Sequence, residues 1–511
     1  MVNLELKERS ADSEPHFLKA RAMFVAMVQL GGLQIVLALT GLVRNKVAAV
    51  YLKTAGMGEW AQIQAVATTV FVIVQFGMIV GLSRNTAAAK TESDRQQQLS
   101  VANTLTMVMA FVALLVIVAF SVIPVRDRLL GALGIHVHFE LLLLLFVVVL
   151  APVEGFRNNY LSFLQGVLDI GGIAAKRSIA AVFATLAAIP LVIMFGITGA
   201  CLQFAVTSVL LAVLLGHRCY QLGYRPLQFQ WERSSAVSLI TIGGALLVVN
   251  FACSGVDVMI RSQLIRYAGL SEAGIYQAAF LLSSQVTQIA LGSIGVFSLA
   301  SISRSTDPKF ISLQLHVMYQ VVLPISALGL GLLGLLERPA VQLLFSSQFK
   351  TSSELLPLLL VGNSLQAAAW VTGAPLLGCG KVRPWVTLLL IGAALRILAA
   401  TALLPILGTQ AIPLAFLLGQ VFDMVASLLL CSRSMKIKTS RADLARIGFS
   451  SALPGVVALL GLRLTPVTFG AGVIVLIAGS IILAPTQSSR LAARATDLVM
   501  RYSSPCRTRP L

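Results

Sequence analysis

Long apolar stretches alternate with short polar connections along almost the whole chain. The hydrocarbon core of a bilayer is about 30 Å thick, so a helix of about 20 apolar residues crosses it. Stretches of this length predict about fourteen transmembrane helices. They lie near residues 22–43, 60–83, 101–124, 140–166, 177–196, 198–216, 236–260, 272–299, 312–336, 354–378, 384–404, 411–431, 447–462 and 466–484. The longest connection, 217–235, is too short to hold an inserted soluble domain.

The composition supports this pattern. Of 511 residues, 57% are hydrophobic and only 11% are charged, whereas a soluble globular chain carries about 25% charged residues. The mean hydropathy is +0.88. The first twenty residues mix acidic and basic side chains without an apolar core, so no cleaved signal peptide is expected. The sequence therefore predicts an all-α, polytopic membrane protein.

The basic excess is best explained as a topological signal. The chain has 38 Lys and Arg against 20 Asp and Glu, a net charge of +18. Most of these basic residues fall in the terminal segments and in the connections on the same side as the N-terminus, which is the pattern of cytoplasmic loops. Both termini are therefore predicted to be cytoplasmic, and no nucleic-acid partner is needed to explain the charge.

A short motif occurs twice and divides the chain into two similar parts. Residues 55–59 (AGMGE) recur as 268–272 (AGLSE), 213 positions later, and Gln64 and Gln277 follow at the same spacing. Six predicted spans in each part make the two parts parallel repeats, as in transporters that rock one bundle against the other. The predicted organisation is a 1–21 N-terminal segment, a 22–216 first bundle, a 217–235 loop, a 236–431 second bundle, 432–484 with a basic loop and two additional helices, and a 485–511 basic tail.

Polar side chains form stripes within several spans. Asn250, Ser254, Asp257 and Arg261 are spaced i, i+4, i+7 and i+11, which places them on one helix face. Gln277 and Gln288 belong to a similar stripe in the next span. Such stripes either pack against a neighbouring helix through hydrogen bonds or line a cavity, because polar groups at membrane depth need partners or water.

Basic residues near span ends indicate an anionic substrate. Arg44 and Lys46 end the first predicted span, and Arg266 follows Arg261; they either anchor helices at the interface or bind phosphate, whose oxygens fit the fork of a guanidinium. Glu154 and Arg157 are i, i+3 neighbours, for which a structural ion pair is favoured over a coupling role. The candidate substrate-binding residues are Arg44, Lys46, Asn250, Asp257, Arg261, Arg266, Gln277 and Gln288.

The sequence lacks the common motifs of nucleotide-binding and metal sites. It contains no phosphate-binding loop, no H-E-x-x-H and no paired Cys and His cluster. We therefore expect no catalytic residues, no metal and no cofactor, and the protein is predicted not to be an enzyme.

Three segments resemble one family of exporters. They are 41–46 (GLVRNK) continuing through 55–58 (AGMG), 163–166 (FLQG) up to Lys176, and 274–279 (GIYQAA). These segments are similar to the multidrug/oligosaccharidyl-lipid/polysaccharide (MOP) exporter superfamily, particularly its Wzx-type polysaccharide and O-antigen flippases. The likeness covers about residues 20–431 and rests on short motifs, span number and the repeat.

The resemblance implies a pair of six-helix bundles around a central cavity. It implies a flippase that moves a polyprenyl-pyrophosphate-linked oligosaccharide repeat unit across the inner membrane for exopolysaccharide, capsule or O-antigen assembly by alternating access. Arg44, with Arg261 or Arg266, would hold the pyrophosphate. The implied partners are that lipid-linked oligosaccharide, membrane lipid, and polysaccharide polymerase and chain-length or export proteins.

Two alternatives remain open at this point. An ion-coupled drug or cation antiporter of the same superfamily would use a carboxylate such as Asp257 or Glu154. A polytopic sugar transferase or polymerase would need an acidic residue in an outside loop, for which Glu59, Glu140, Glu272 and Glu337 are the candidates.

Overall fold

In the part of the chain that the structure describes, the elements are helices. The computed structural model describes residues 16–122, 131, 140–292, 307–437, 439–461 and 466–483. The helices in these ranges are α1 (His16–Gln75), α2 (Met78–Ala88), α3 (Glu92–Val122), α4 (Glu140–Gly166), α5 (Ile170–Gln221), α6 (Arg233–Gly292), α7 (Pro308–Leu335), α8 (Glu337–Leu344), α9 (Ser352–Gly378), α10 (Val382–Leu407), α11 (Ala411–Met435), α12 (Arg441–Gly461) and α13 (Pro466–Leu483). The prediction of an all-α membrane protein is confirmed.

Several helical stretches are far longer than one bilayer crossing. Within the described residues, eight stretches are long and apolar enough to span a membrane, and Gly32–Ala88 and Val382–Met435 are 57 and 54 residues long. At 1.5 Å per residue such lengths exceed 75 Å, more than twice the roughly 30 Å of a hydrocarbon core. Each therefore contains more than one crossing. The number fourteen stays a prediction, because some of the predicted spans run beyond the described residues.

The long stretches are broken at single residues with positive φ. α1 breaks at Lys53 (φ 59°), α5 at Gly196 (φ 56°) and α6 at Gly269 (φ 86°), and Gly408 (φ 58°) separates α10 from α11. Glycine adopts such angles without penalty, whereas Lys53 is held there at some cost. These breaks fall where the sequence predicts the turns between spans.

We call residues 22–216 the first half and 236–431 the second half; α1 and α6 are the main contact between them. One apolar cluster contains buried residues of both helices, among them Ala49, Leu52, Ile260 and Leu264. Near the two breaks, Thr54 Oγ1 and Ser271 Oγ are 2.6 Å apart. Both copies of the repeated motif therefore lie at the junction of the halves.

The halves also meet toward the other end of α6. Gly77, in the left-handed turn between α1 and α2, packs against the backbone of Gly243, so neither position has room for a side chain. In the same region, Asn85 Nδ2 donates a hydrogen bond to Ser238 Oγ (3.2 Å) and Gln98 Nε2 donates one to Ser235 Oγ (2.7 Å).

The additional helices α12 and α13 pack on α7. Ser440 caps the start of α12, because the Asp443 amide donates a hydrogen bond to Ser440 Oγ (3.0 Å). The Asp443 carboxylate also contacts His316 Nδ1 of α7 (2.8 Å) and Arg446 (3.3 Å). An apolar cluster including Ala327, Leu453 and Leu476 completes this contact.

Candidate functional site

A cavity of about 380 Å³ lies inside the second half, enclosed by α6, α9, α10 and α11. We call it the second-half cavity. Its size falls in the range of small-molecule sites, roughly 300–1,000 Å³. Among the members of the predicted stripe, Ser254, Asp257 and Arg261 line it. The remaining member, Asn250, is exposed and does not line the cavity.

Charged side chains from three helices meet in this cavity. Asp257 and Arg261 come from α6, Arg396 from α10 and Asp423 from α11. Arg261 and Asp423 are buried, whereas Asp257 is exposed on the cavity wall. Two arginines and two aspartates give no formal net charge. The cavity thus differs from the basic site that the sequence predicts.

Arg396 and Asp423 face each other across α10 and α11 as a loose pair. Arg396 Nη2 and Asp423 Oδ2 are 3.8 Å apart, beyond hydrogen-bonding distance, and Arg396 Nε donates to the Gly392 carbonyl (3.3 Å). The other carboxylate oxygen, Asp423 Oδ1, has no hydrogen-bond partner among the described residues. Gly392 and Gly419 make the approach possible, because a Cβ at either position would collide with Asp423 or with the stem of Arg396.

Aromatic rings form much of the remaining wall. The Phe280 ring packs against Tyr276 on one side and Phe416 on the other, with ring centroids 5.9 Å and 6.2 Å away, respectively. Trp370 and Trp385 also line the cavity, and Trp370 is 41% exposed. Amide and hydroxyl groups complete the lining, from Gln366, Gln420, Ser254 and Ser427.

Arg44 lies outside this cavity, on α1 where the halves meet. It is half-buried and makes no hydrogen bond or ion pair within the described part of the chain. Its Nη2 is 4.0 Å from where a Cβ of Gly41 would be, and the amide of Gln285 on α6 is next to the same point. Arg44 and Asp257 are 213 positions apart, the offset of the repeated motif, so the repeat predicts equivalent positions with opposite charge.

Lys46 has a structural contact. Its Nζ donates hydrogen bonds to the backbone carbonyls of Phe345 (2.5 Å) and Gln342 (3.4 Å), which end helix α8 of the second half. A cation at the carboxyl end of a helix is stabilising. These two hydrogen bonds use the Nζ group of Lys46, which the sequence analysis assigns to substrate binding.

The other predicted binding residues lie away from the second-half cavity. Arg266 is exposed, and its Nε is 3.4 Å from the Ser262 carbonyl. Gln277 is buried, and its Oε1 has no partner in the described structure. Gln288 is exposed on α6. The structure does not bring these three together with Asp257 and Arg261 around one ligand-sized space.

Glu154 and Arg157 form the ion pair that their spacing allows. Arg157 Nη2 lies 2.6 Å from Glu154 Oε2, and Ser208 of α5 donates a hydrogen bond to the other carboxylate oxygen. Glu154 is buried and satisfied on both oxygens. This arrangement is what a structural role requires, because a buried charge needs a partner.

The polymerase alternative needs an acidic residue that is free to react in an outside loop. Two of its candidates, Glu272 and Glu337, are instead bonded or buried. Glu272 Oε2 accepts a hydrogen bond from Thr409 (3.0 Å), and Glu337 is 1% exposed. The side chain of Glu140 lies outside the described part. In the ranges described, no three or more His, Cys, Asp or Glu residues are grouped as a metal site.

The fold and this site define a class: a polytopic helical transporter of two contacting halves with a polar cavity inside one of them. A search of family models matches none. Among solved structures, the chain is similar to the lipid II flippase MurJ in an inward closed conformation, with TM-score 0.63, 14% identity, and coverage of 93% of this chain and 100% of that one.

Two MATE transporters of the MOP superfamily are also similar in structure. One is in an inward-facing conformation (TM-score 0.62, 15% identity, 81% of this chain and 100% of that one), and the other is VcmN of Vibrio cholerae in its bent form (TM-score 0.57, 16% identity, 81% and 98%). Among curated proteins, the lipid III flippases of Escherichia coli K12 and Shigella flexneri are 25% identical over 339 residues, 65% of this chain and 80% of theirs.

The chain is a multi-pass membrane protein with the fold of the MOP exporter superfamily, and the resemblance predicted from the sequence is confirmed.

Proposed function

We propose that this protein is a flippase that moves a polyprenyl-pyrophosphate-linked oligosaccharide repeat unit across the bacterial inner membrane. Its curated relatives are named lipid III flippases, and MurJ, which shares its fold, is named a lipid II flippase. The polymer made from the units would be an exopolysaccharide, a capsule or an O-antigen lipopolysaccharide. The protein acts as a transporter and not as an enzyme.

Arg44 is the observation that carries the proposal. It is a half-buried guanidinium with no hydrogen bond or ion pair among the described residues. It lies on α1, the helix of the first half that packs against α6 of the second half. A guanidinium removed from water without a partner costs free energy, which binding of an anion recovers. Pyrophosphate offers the planar pairs of oxygens that Arg binds through two hydrogen bonds. Arg266, which is exposed on α6, supplies the second cation, because Arg261 lines the second-half cavity together with two carboxylates.

Transport follows from alternating access. The pyrophosphate and sugars pass between the halves while the polyprenyl chain stays in lipid, and the halves rock about the contact between α1 and α6. Asn250, Asp257, Gln277 and Gln288 contact sugar or sense a coupling ion, and an ion gradient or the membrane potential drives the cycle. Both termini face the cytoplasm, and a polysaccharide polymerase and chain-length or export proteins act on the flipped unit.

The antiporter alternative is supported by Asp257, which is exposed on the cavity wall with no ion pair among described residues. A cavity for lipophilic cations needs net negative charge, whereas Arg261 and Arg396 balance both carboxylates here. The flippase is therefore the better explanation of the charges.

The test is to delete the gene and follow the lipid-linked repeat units. The flippase predicts their accumulation on the cytoplasmic leaflet, where a membrane-impermeant sugar-oxidising reagent does not reach them in intact spheroplasts. Arg44→Ala should reproduce the deletion at normal protein level, and Arg383→Ala, an exposed arginine at the start of α10, should export normally. Normal export by Arg44→Ala would remove Arg44 as the pyrophosphate site. Units accessible on the periplasmic side of the deletion strain would contradict flippase function.

A further inference from the structure

We propose that the second-half cavity is a saccharide-binding subsite, which holds one sugar residue of the translocated headgroup while Arg44 holds the pyrophosphate. This inference rests on the proposed function and adds a location and a ligand class for the sugar. Nothing in the names of the similar proteins assigns this cavity.

The balance of charge selects the ligand class. A site for a bare cation requires excess carboxylate, and a site for phosphate requires excess guanidinium. The second-half cavity has two of each, from Asp257, Arg261, Arg396 and Asp423. A sugar hydroxyl is both donor and acceptor, so a neutral polyhydroxyl ligand can use both kinds of group without leaving either charge unmatched.

Unused hydrogen-bonding capacity is present on buried side chains. Asp423 is 5% exposed and Arg261 is 7% exposed, and within the described ranges Asp423 Oδ1 and Arg261 Nε have no hydrogen-bond partner. A buried polar atom without a hydrogen-bond partner destabilises the fold, and a ligand that bonds to it removes that cost. The 3.8 Å separation of Arg396 and Asp423 leaves their facing atoms able to bond a hydroxyl group instead of one another.

The aromatic wall suits the other surface of a sugar ring. A pyranose presents C–H groups on its faces and hydroxyls at its edge, and flat aromatic rings contact the C–H faces without competing for the hydroxyls. Trp370 and Trp385 lie with Tyr276, Phe280 and Phe416 on this wall. Gln366 and Gln420 add amides, which donate and accept at the ring edge. A volume of about 380 Å³ suits a small saccharide.

The repeat assigns different binding roles to the two halves. By the 213-residue offset of the repeated motif, Asp257 on the cavity wall corresponds to Arg44 in the first half, and Arg396 to Phe183. The same helix framework therefore carries an unpaired cation in one half and a balanced polar cavity in the other. A headgroup with an anionic end and a neutral end would be bound in one orientation.

Tryptophan fluorescence of the purified full-length protein tests the inference. The chain has four tryptophans; with Trp60→Phe and Trp231→Phe, the signal comes from Trp370 and Trp385. N-acetylglucosamine, its β1,4-linked disaccharide, glucose and galactose are titrated in lipid nanodiscs. We expect at least one to give a saturable change, with a dissociation constant raised about tenfold by Asp423→Asn and by Gln420→Ala, one hydrogen bond to a charged or buried group each. Gln203→Ala in the first half is the control and should leave it unchanged.

The outcomes that overturn the subsite are definite. They are no response to any of the four saccharides in fluorescence or in thermal unfolding, a response only to Na⁺ or tetraphenylphosphonium, or competition by inorganic pyrophosphate for the cavity. If saccharide binding fails while Arg44→Ala still traps lipid-linked units on the cytoplasmic leaflet, the subsite is wrong and the flippase stands. If saccharide binds but the deletion strain flips its units, the flippase is wrong.

Discussion

Gly58 of α1 and Gly274 of α6 pack backbone against backbone where the two halves meet. A Cβ on Gly274 would collide with the carbonyl of Thr54, and one on Gly58 would collide with the carbonyl of Leu270. Gly58 belongs to the first copy of the repeated motif (55–59), and Gly274 lies two residues after the second copy (268–272). The close approach of the halves at this point therefore depends on the absence of two side chains.

Gly274→Val should separate α1 from α6 at this contact. In a Thr54→Cys/Ser271→Cys variant, whose hydroxyl positions are 2.6 Å apart, we expect a disulfide to form readily on mild oxidation. Adding Gly274→Val should greatly reduce that yield, because the valine cannot fit against Thr54. Gly255→Val on the same helix is the matched control, since a Cβ there meets nothing within 4 Å. An unchanged yield with Gly274→Val would show that the halves do not pack this way in the membrane.

Lys46→Ala should act on the contact between the halves and not on substrate affinity. It removes the cation that bonds the Phe345 and Gln342 carbonyls at the end of α8. We expect a loss of about 1 kcal/mol of stability and faster hydrogen exchange in α8. Lys46→Arg should restore much of both. Retained slow exchange in Lys46→Ala, together with lost export, would instead place Lys46 in the substrate site.

The long apolar stretches made the fold predictable, but the sequence did not show how its turns are built. Residues 44–59 were expected to be a connection between spans, whereas the helix continues through them and breaks only at Lys53. The second predicted span is interrupted at Phe76 and Gly77. An apolar run does not indicate this break. The break lies where Gly243 of the other half packs against the backbone of Gly77.

The candidate site was predictable only where its residues share one helix. Asp257 and Arg261 were found by helical spacing, and both line the cavity. Trp370, Gln420 and Asp423 were not assigned to it, because isolated polar or aromatic residues on α9 and α11 have no period that links them to α6. Only the packing of the helices brings them together, and that depends on small residues such as Gly392 and Gly419.

The pair Arg396 and Asp423 should show the behaviour of a buried ion pair. Removing one partner leaves the other charge buried alone, so Asp423→Leu and Arg396→Met should each destabilise the protein by about 3 kcal/mol. The double variant should regain most of this loss, because neither member of the pair is left without the other. Chemical or thermal unfolding in detergent measures the cycle. Additive single effects would mean that the two side chains do not interact.

Glu337 should make stability depend on pH. Its carboxylate is 1% exposed without a hydrogen-bond partner in the described structure, and burial raises its pKa to about 8, against a smaller opposing effect of Arg338. The folded state therefore binds this proton more tightly than the unfolded state, whose carboxyl has the ordinary pKa of 4.5. The resulting stabilisation is complete below pH 4.5 and is lost as pH rises from there to about 8.

Glu337→Gln keeps the side chain neutral at every pH and removes this loss. Relative to wild type, the variant should unfold at a similar temperature at pH 5 and at a clearly higher temperature at pH 9, measured by differential scanning fluorimetry in detergent. Glu354→Gln, at the start of α9, is the control and should not change the pH profile in this way. The neighbouring charge of Arg338 favours ionisation of this carboxyl. If the wild type and Glu337→Gln curves stay parallel from pH 5 to pH 9, the carboxyl is already ionised in the folded protein and is not held in an apolar environment.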